Sequence, residues 1–174
     1  MKTLGKIILG VGLWISFQFP AKAQAEYELN PAAQQKMANL GFLEGEWKGT
    51  GWTIGQDRIR KTFEQEEKIQ WMLSGTLLQV EGKGTSNGQV VHHALALLHP
   101  GEKDGEFQFT SFLQSGMHGT YPAKLVDEKL IWQPVEQVRY TIWINEKGQW
   151  QEIGEYLGGT QWFKFFEMTL DKVN

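Results

Sequence analysis

Hydrophobic and polar positions follow two rhythms, a brief helical one near the start of the folded region and an alternating one from Gly41 onward. Asn30 is a suitable N-cap and Pro31 fits the first helical position. Ala33, Met37 and Leu40 fall at i, i+4 and i+7, and Gly41 suits the position just past the end. The spacing predicts one short helix with a narrow apolar stripe, which must lie over the end or side of a larger element.

Beyond Gly41 the residues favour strands, being rich in Val, Ile, Thr, Phe, Tyr and Trp and broken by Gly, Asn or Asp turns. About ten segments are expected. They lie near Gly45 to Trp52, Arg58 to Met72, Gly75 to Gly84, Gln89 to His99, Glu106 to Gln114, His118 to Leu125, Lys129 to Pro134, Gln137 to Asn145, Gln149 to Leu157 and Gln161 to Asp171. Ser86-Asn87-Gly88, Asp127-Glu128, Glu146-Lys147-Gly148 and Gly158-Gly159 all suit hairpin turns. Consecutive hairpins form an antiparallel meander, and closing it into an up-and-down barrel removes its edges. The expected fold is therefore all-β, a barrel of about ten strands with one short N-terminal helix; a sandwich is the alternative.

Alternation assigns faces where one side of a strand is clearly polar. Phe63, Gln65, Glu67, Ile69 and Trp71 share a face opposite Thr62, Glu64, Glu66, Lys68 and Gln70, so the first set is expected to point inward. Both faces of Val90 to His99 are largely apolar; if the face bearing Ala94 and Ala96 turns inward, it leaves room for a cavity and carries His92 with it. Two further pairs of faces stay open: Arg139, Thr141 and Trp143 against Tyr140, Ile142 and Ile144, and Glu152, Gly154 and Tyr156 against Ile153, Glu155 and Leu157. The last strand, from Trp162 to Phe166, is apolar on both faces and is expected to meet the helix on its outside.

Composition then narrows the class. The chain has 174 residues, with 17 Lys and Arg against 20 Asp and Glu, eight Trp and no Cys, so disulfides and thiolate chemistry are excluded. A net charge of -3 gives no electrostatic footprint for nucleic acid. Lys2 and Lys6, a 13-residue run from Ile7 to Phe19, and the small residues Ala21, Ala23 and Ala25 read as an export signal over residues 1–25. Cleavage after Ala23 or Ala25 leaves a domain over residues 26–174, expected in the periplasm or outside the cell. Losing Lys2, Lys6 and Lys22 with no acid leaves 14 basic against 20 acidic residues, an acidic protein with no stable membrane insertion of its own.

No enzymatic motif stands out. His92 and His93 must face opposite ways on one strand, while His93 and His99 share a face roughly 20 Å apart. Ser111, Ser115, His118 and Asp127 occur without a nucleophile elbow. Gly82, Gly84 and Gly88 precede no helix, so they read as turn residues or strand bends and not as a phosphate loop. Neither enzymatic activity nor a metal or cofactor is expected.

Gly45-Glu46-Trp47 after a short helix resembles the Gly-x-Trp signature that opens lipocalin barrels. Together with Phe42 to Gly49, Glu81 to Gly84, Val91 to Ala96, Arg139 to Ile142, Glu152 to Tyr156 and Phe165 to Leu170, it resembles an uncharacterised family of exported bacterial proteins with a lipocalin-like domain. The likeness spans nearly all of residues 35–172. It implies a ten-stranded barrel distantly similar to the haem-binding nitrobindins and the fatty-acid-binding calycins. Nitrobindins use an axial His near the C-terminus, and here no His follows His118, which counts against haem. The lipocalin pattern also implies that Trp47 lies under a basic side chain, for which Arg139 or Lys164 is available.

The resulting expectation is a small hydrophobic or amphipathic molecule held inside the barrel. Glu67, His92 and Arg139 are its polar contacts, with Arg139 a partner for buried Glu67, and Trp71 and Tyr156 are wall residues. The alternatives are a haem or redox-active barrel using His92 or His118, and a filled barrel that acts through its surface on another protein.

Overall fold

The computed structural model describes residues 28–173, so the export signal proposed for residues 1–25 lies outside the described residues. Helix α1 spans Pro31–Ala38 and is capped by Asn30, whose Oδ1 accepts from the Ala33 N–H at 3.0 Å. The helix stops short of Gly41, which instead opens a single 3-10 turn, Gly41–Leu43. Ten strands follow: β1 (Gly45–Ile54), β2 (Arg60–Met72), β3 (Leu77–Ser86), β4 (Gln89–Pro100), β5 (Glu106–Leu113), β6 (His118–Val126), β7 (Lys129–Val135), β8 (Val138–Ile144), β9 (Trp150–Gly158) and β10 (Gln161–Val173). Each pairs antiparallel with its sequence neighbours, and β1 with β10, so the sheet is a closed up-and-down barrel.

Tight hairpins set the registers. Asn87 and Gly88 have φ of +51° and +75°, and Asp127 and Glu128 +49° and +60°, the twist that two-residue turns need between right-handed strands. The up-and-down path places the β1–β2, β3–β4, β5–β6, β7–β8 and β9–β10 turns at one end. Both described chain ends and the remaining turns lie at the other.

α1 closes that second end. Met37, Leu40 and Leu43 are fully buried with Trp47, Leu78, Leu98, Phe107, Leu130, Trp150 and Leu170. Gln34 donates to the Ser74 carbonyl, and Lys36 Nζ donates to the Glu102 carbonyl at 3.0 Å, which ties the helix to the β2–β3 and β4–β5 connections. The helix therefore caps the barrel instead of lying against the final strand as expected. Its narrow stripe is enough for a plug.

Trp47 Nε1 donates to the Leu43 carbonyl at 2.9 Å, and its ring meets Trp150 edge-on at 6.0 Å. The basic side chain over it is Lys172, 5.1 Å from the ring centre, and neither Arg139 nor Lys164. The reason is register: closure of β1 on β10 sets Trp47 opposite Lys172.

Candidate functional site

The capped end is solid, and the other half of the barrel is hollow. Inward side chains enclose a cavity of about 1290 Å³ whose floor is Leu43, Leu98, Leu130, Ile142 and Trp150. Arg60, Lys61, Asn87, His92, Met117 and His118 ring its mouth. Ala94, Ala96 and Ser111 keep the β4 and β5 side of the lumen free of bulk.

Aromatic rings line much of the rest. Phe109 stacks on Trp132 at 4.4 Å, and Trp132 on Tyr140 at 4.6 Å. Tyr140 meets Phe166 edge-on at 5.8 Å, and Phe166 stacks on Phe63 at 5.7 Å. This wall crosses β5, β7, β8, β10 and β2. Three β-bulges extend it toward the mouth, each placing one extra residue on β4, β7 or β10. The bulges on β4 and β10 let consecutive residues, Val91 with His92 and Phe165 with Phe166, line the same cavity.

Two acids stand within this apolar wall. Glu67 and Glu152 are each only 8% exposed, and both line the lumen. Gln65 Nε2 donates to Glu67 Oε1 at 2.7 Å, and Trp150 Nε1 donates to Glu152 Oε2 over a long 3.4 Å. Among the described residues no Lys, Arg or His forms an ion pair with either. Burial raises Glu67 from 4.5 to about 7, against the lowering effect of the Gln65 hydrogen bond. Burial, reinforced by the charge of Glu67, raises Glu152 from 4.5 to about 8. Burial and then the Glu152 charge push Tyr140 up to about 12, so its hydroxyl stays protonated.

Local sequence makes room for the first acid. A Cβ at Gly82 would stand 2.6 Å from Glu67 Oε1, and one at Gly84 2.8 Å from Gln65 Oε1. Both polar side chains thus lie flat on β3, directly over these two glycines. Gly84 also adjoins the β3–β4 bulge, as a bend residue should, whereas Gly82 sits in regular ladder and serves the close approach alone.

The expected site residues part company here. Glu67 points inward, and the Ala-bearing face of β4 does too, carrying His92 to the mouth, where its imidazole is held below its ordinary pKa by desolvation and then by His93. Trp71 has inward parity but lies below the cavity, half-buried against the core opposite Leu78. Tyr156 also has inward parity but stands on the rim, 46% exposed and stacked on Phe163 at 5.5 Å. Arg139 faces outward, since Tyr140 and Ile142 take the inward positions of β8. Its Nε donates to Glu155 Oε2 at 2.8 Å and its guanidinium lies 4.1 Å over Trp162, so the pairing expected with Glu67 does not form.

Glu152, Phe63, Phe109, Trp132, Tyr140 and Phe166 are lumen residues absent from the expected site. For Glu152 the missing signal was phase: the β8–β9 hairpin sets it opposite Ile142, and assigning Ile142 inward brings Glu152 with it.

No family model and no curated protein matches the chain. Among solved structures it is similar to the crystal structure of Rv2717c from M. tuberculosis, with a TM-score of 0.62 and 13% identity over 84% of this chain and 100% of that one. At that identity the likeness establishes the shared barrel fold alone.

Proposed function

We propose that this protein is an exported binding protein that holds a small apolar or amphipathic molecule inside its barrel, without covalent chemistry. The cavity carries the proposal. At about 1290 Å³ it exceeds the roughly 300–1,000 Å³ of common small-molecule sites, and it combines aromatic walls with a few inward polar groups. Access fits the same end, because every mouth hairpin shows an exposed apolar residue: Ile59, Val90, Met117, Val135 or Phe163. The outer face of β2, with Lys48 3.0 Å from Glu66 and Lys68 4.0 Å from Glu46, is suited to water and unsuited to lipid.

The test is a fluorescent hydrophobic probe titrated against the purified protein, with native mass spectrometry for co-purified ligand. Saturable one-site binding is expected, and Ala94→Trp, which fills the lumen from β4, should abolish it while leaving the circular dichroism unchanged. No bound mass and no saturable probe binding would refute the reading.

Haem is the second reading, favoured by two imidazoles on the cavity mouth, His92 and His118. Desolvation lowers the His92 pKa and so favours the neutral ring, the state in which a nitrogen can bind iron. A haem titration should then give a shifted Soret band that His92→Ala or His118→Ala removes; no shift, or a shift indifferent to both changes, excludes it.

A further inference from the structure

Resting on the reading of the lumen as a ligand site, we propose that the ligand is an amphipathic organic cation, with its hydrocarbon body along the aromatic wall and its protonated nitrogen held by Glu67 and Glu152.

Three observations select this chemistry. First, the two carboxyls are more than nine-tenths buried, aimed into the cavity and without a basic partner among the described residues. Glu67 Oε2 accepts no hydrogen bond from the described chain, so an acceptor faces the space where a ligand would lie. A barrel interior built only for stability has no use for two such groups, since a buried acid without a partner costs free energy that Gln or Leu would not. Second, the Glu67 carboxyl lies directly over Gly82 of β3, in the space a Cβ there would take. Third, no basic side chain among the described residues lies in the deep part of the lumen beside the two acids. β1 and β3 face Glu67 with Trp47 and Gly82, and β8 and β10 face Glu152 with Ile142 and Met168.

The other ionisable groups on the cavity wall are Arg60, Lys61, His92 and His118 at the mouth, and Tyr121 and Tyr140 deeper in. The four basic groups sit with the hairpins, away from the acids, and Tyr140 stays neutral. A carboxylate ligand would be repelled wherever either acid is ionised, whereas an ammonium supplies the countercharge that an ionised Glu67 or Glu152 lacks. A hard metal ion is a poorer match: among the described residues no three His, Cys, Asp or Glu side chains gather, and calcium takes about six to eight oxygens. An alkyl ammonium needs only one or two acceptors, and the aromatic lining suits both its chain and its charge.

Isothermal titration with decylamine, decanol and decanoate, each below its micellar range, separates this inference from the reading beneath it. Decylamine stays protonated well above neutrality, since primary amines titrate at about 10.4. It should bind at least tenfold more tightly than decanol, at one site. Because its binding requires ionised carboxyls, its affinity should rise between about pH 6 and about pH 9, by up to about tenfold per pH unit below their titration. Glu67→Gln and Glu152→Gln should each weaken decylamine tenfold or more and leave decanol binding intact, which also reports that the variants are folded. Decanol or decanoate binding as tightly as decylamine, or a flat pH profile, would overturn the cation while the lumen reading stands. If none of the three binds, both fall.

Discussion

Burial lifts Glu67 to about 7 and Glu152 to about 8, and in the unfolded chain both return toward 4.5. Between those values the folded barrel binds more protons than the unfolded chain, so the sign of the pH dependence is set. The stability of the protonated acids is fully present below the unfolded value and is lost as pH rises through 7 and 8. At about 1.4 kcal/mol per pKa unit, the Glu67 shift alone corresponds to on the order of 3 kcal/mol. Denaturant midpoints measured from acid to alkaline pH should therefore fall, and Glu67→Gln or Glu152→Gln should flatten the curve and exceed the wild type at its alkaline end. A wild-type midpoint that does not change over this range would mean that the carboxyls are solvated. Glu67 was legible because the opposite face of β2 is polar at every position from Arg60 through Gln70. Glu152 and Arg139 were not, because β8 and β9 carry large apolar residues on both faces and alternation alone cannot orient them. His92 falls between the two cases, since the small Ala94 and Ala96 beside it hinted at the inward face of a strand apolar on both sides.

Elements were easier to read than faces, because turn chemistry punctuates strands more sharply than burial pattern orients them. Asn87-Gly88 and Asp127-Glu128 mark hairpins in the sequence and adopt the positive φ those turns require. The bulges left no comparable signal, although Pro134, which lacks an N–H, lies within the irregular stretch of β7. The helix shows how tertiary burial outweighs local preference. Its apolar stripe is thin, and its hold on the barrel comes from Met37 inside it and Leu40 just beyond it, both fully buried. Leu40→Ala should cost about 2–5 kcal/mol through lost burial and the cavity left behind. Asn30→Ala, which removes only the cap, should cost about 0.5–2 kcal/mol. Chemical denaturation of the two variants checks that order, and a cap variant as damaging as Leu40→Ala would show that the helix is held by its own ends and not by the core beneath it.

For the whole molecule the decisive contact is the seam between β1 and β10, which pairs Glu46 with Val173 and Thr53 with Phe166 across more than a hundred residues of chain. Strand number and the need to dispose of two sheet edges pointed to that closure, while the half-filled interior depended on side-chain volumes that no periodicity reports. Until the seam forms, β1 and β10 are edges and the lumen has no complete wall, so barrel and cavity should appear together in one cooperative step. Gly49 is the place to test this. It lies opposite both Leu170 and Gln65, and a Cβ there would run into the Thr169 carbonyl and stand 2.8 Å from the Leu170 Cα. The obstacle is backbone, which cannot rotate away as a side chain can, so Gly49→Val must strain the seam. We expect one unfolding transition with an unchanged denaturant slope, a lower midpoint and an unfolding free energy reduced by about 1–3 kcal/mol, with probe binding lost in the same transition. Gly41→Ala, where an added Cβ meets nothing within 4 Å, serves as the control and should stay within about 0.5 kcal/mol of wild type. Two separate transitions in Gly49→Val, with probe still bound after the first, would show that the cavity persists in an open sheet and that closure is not what creates it.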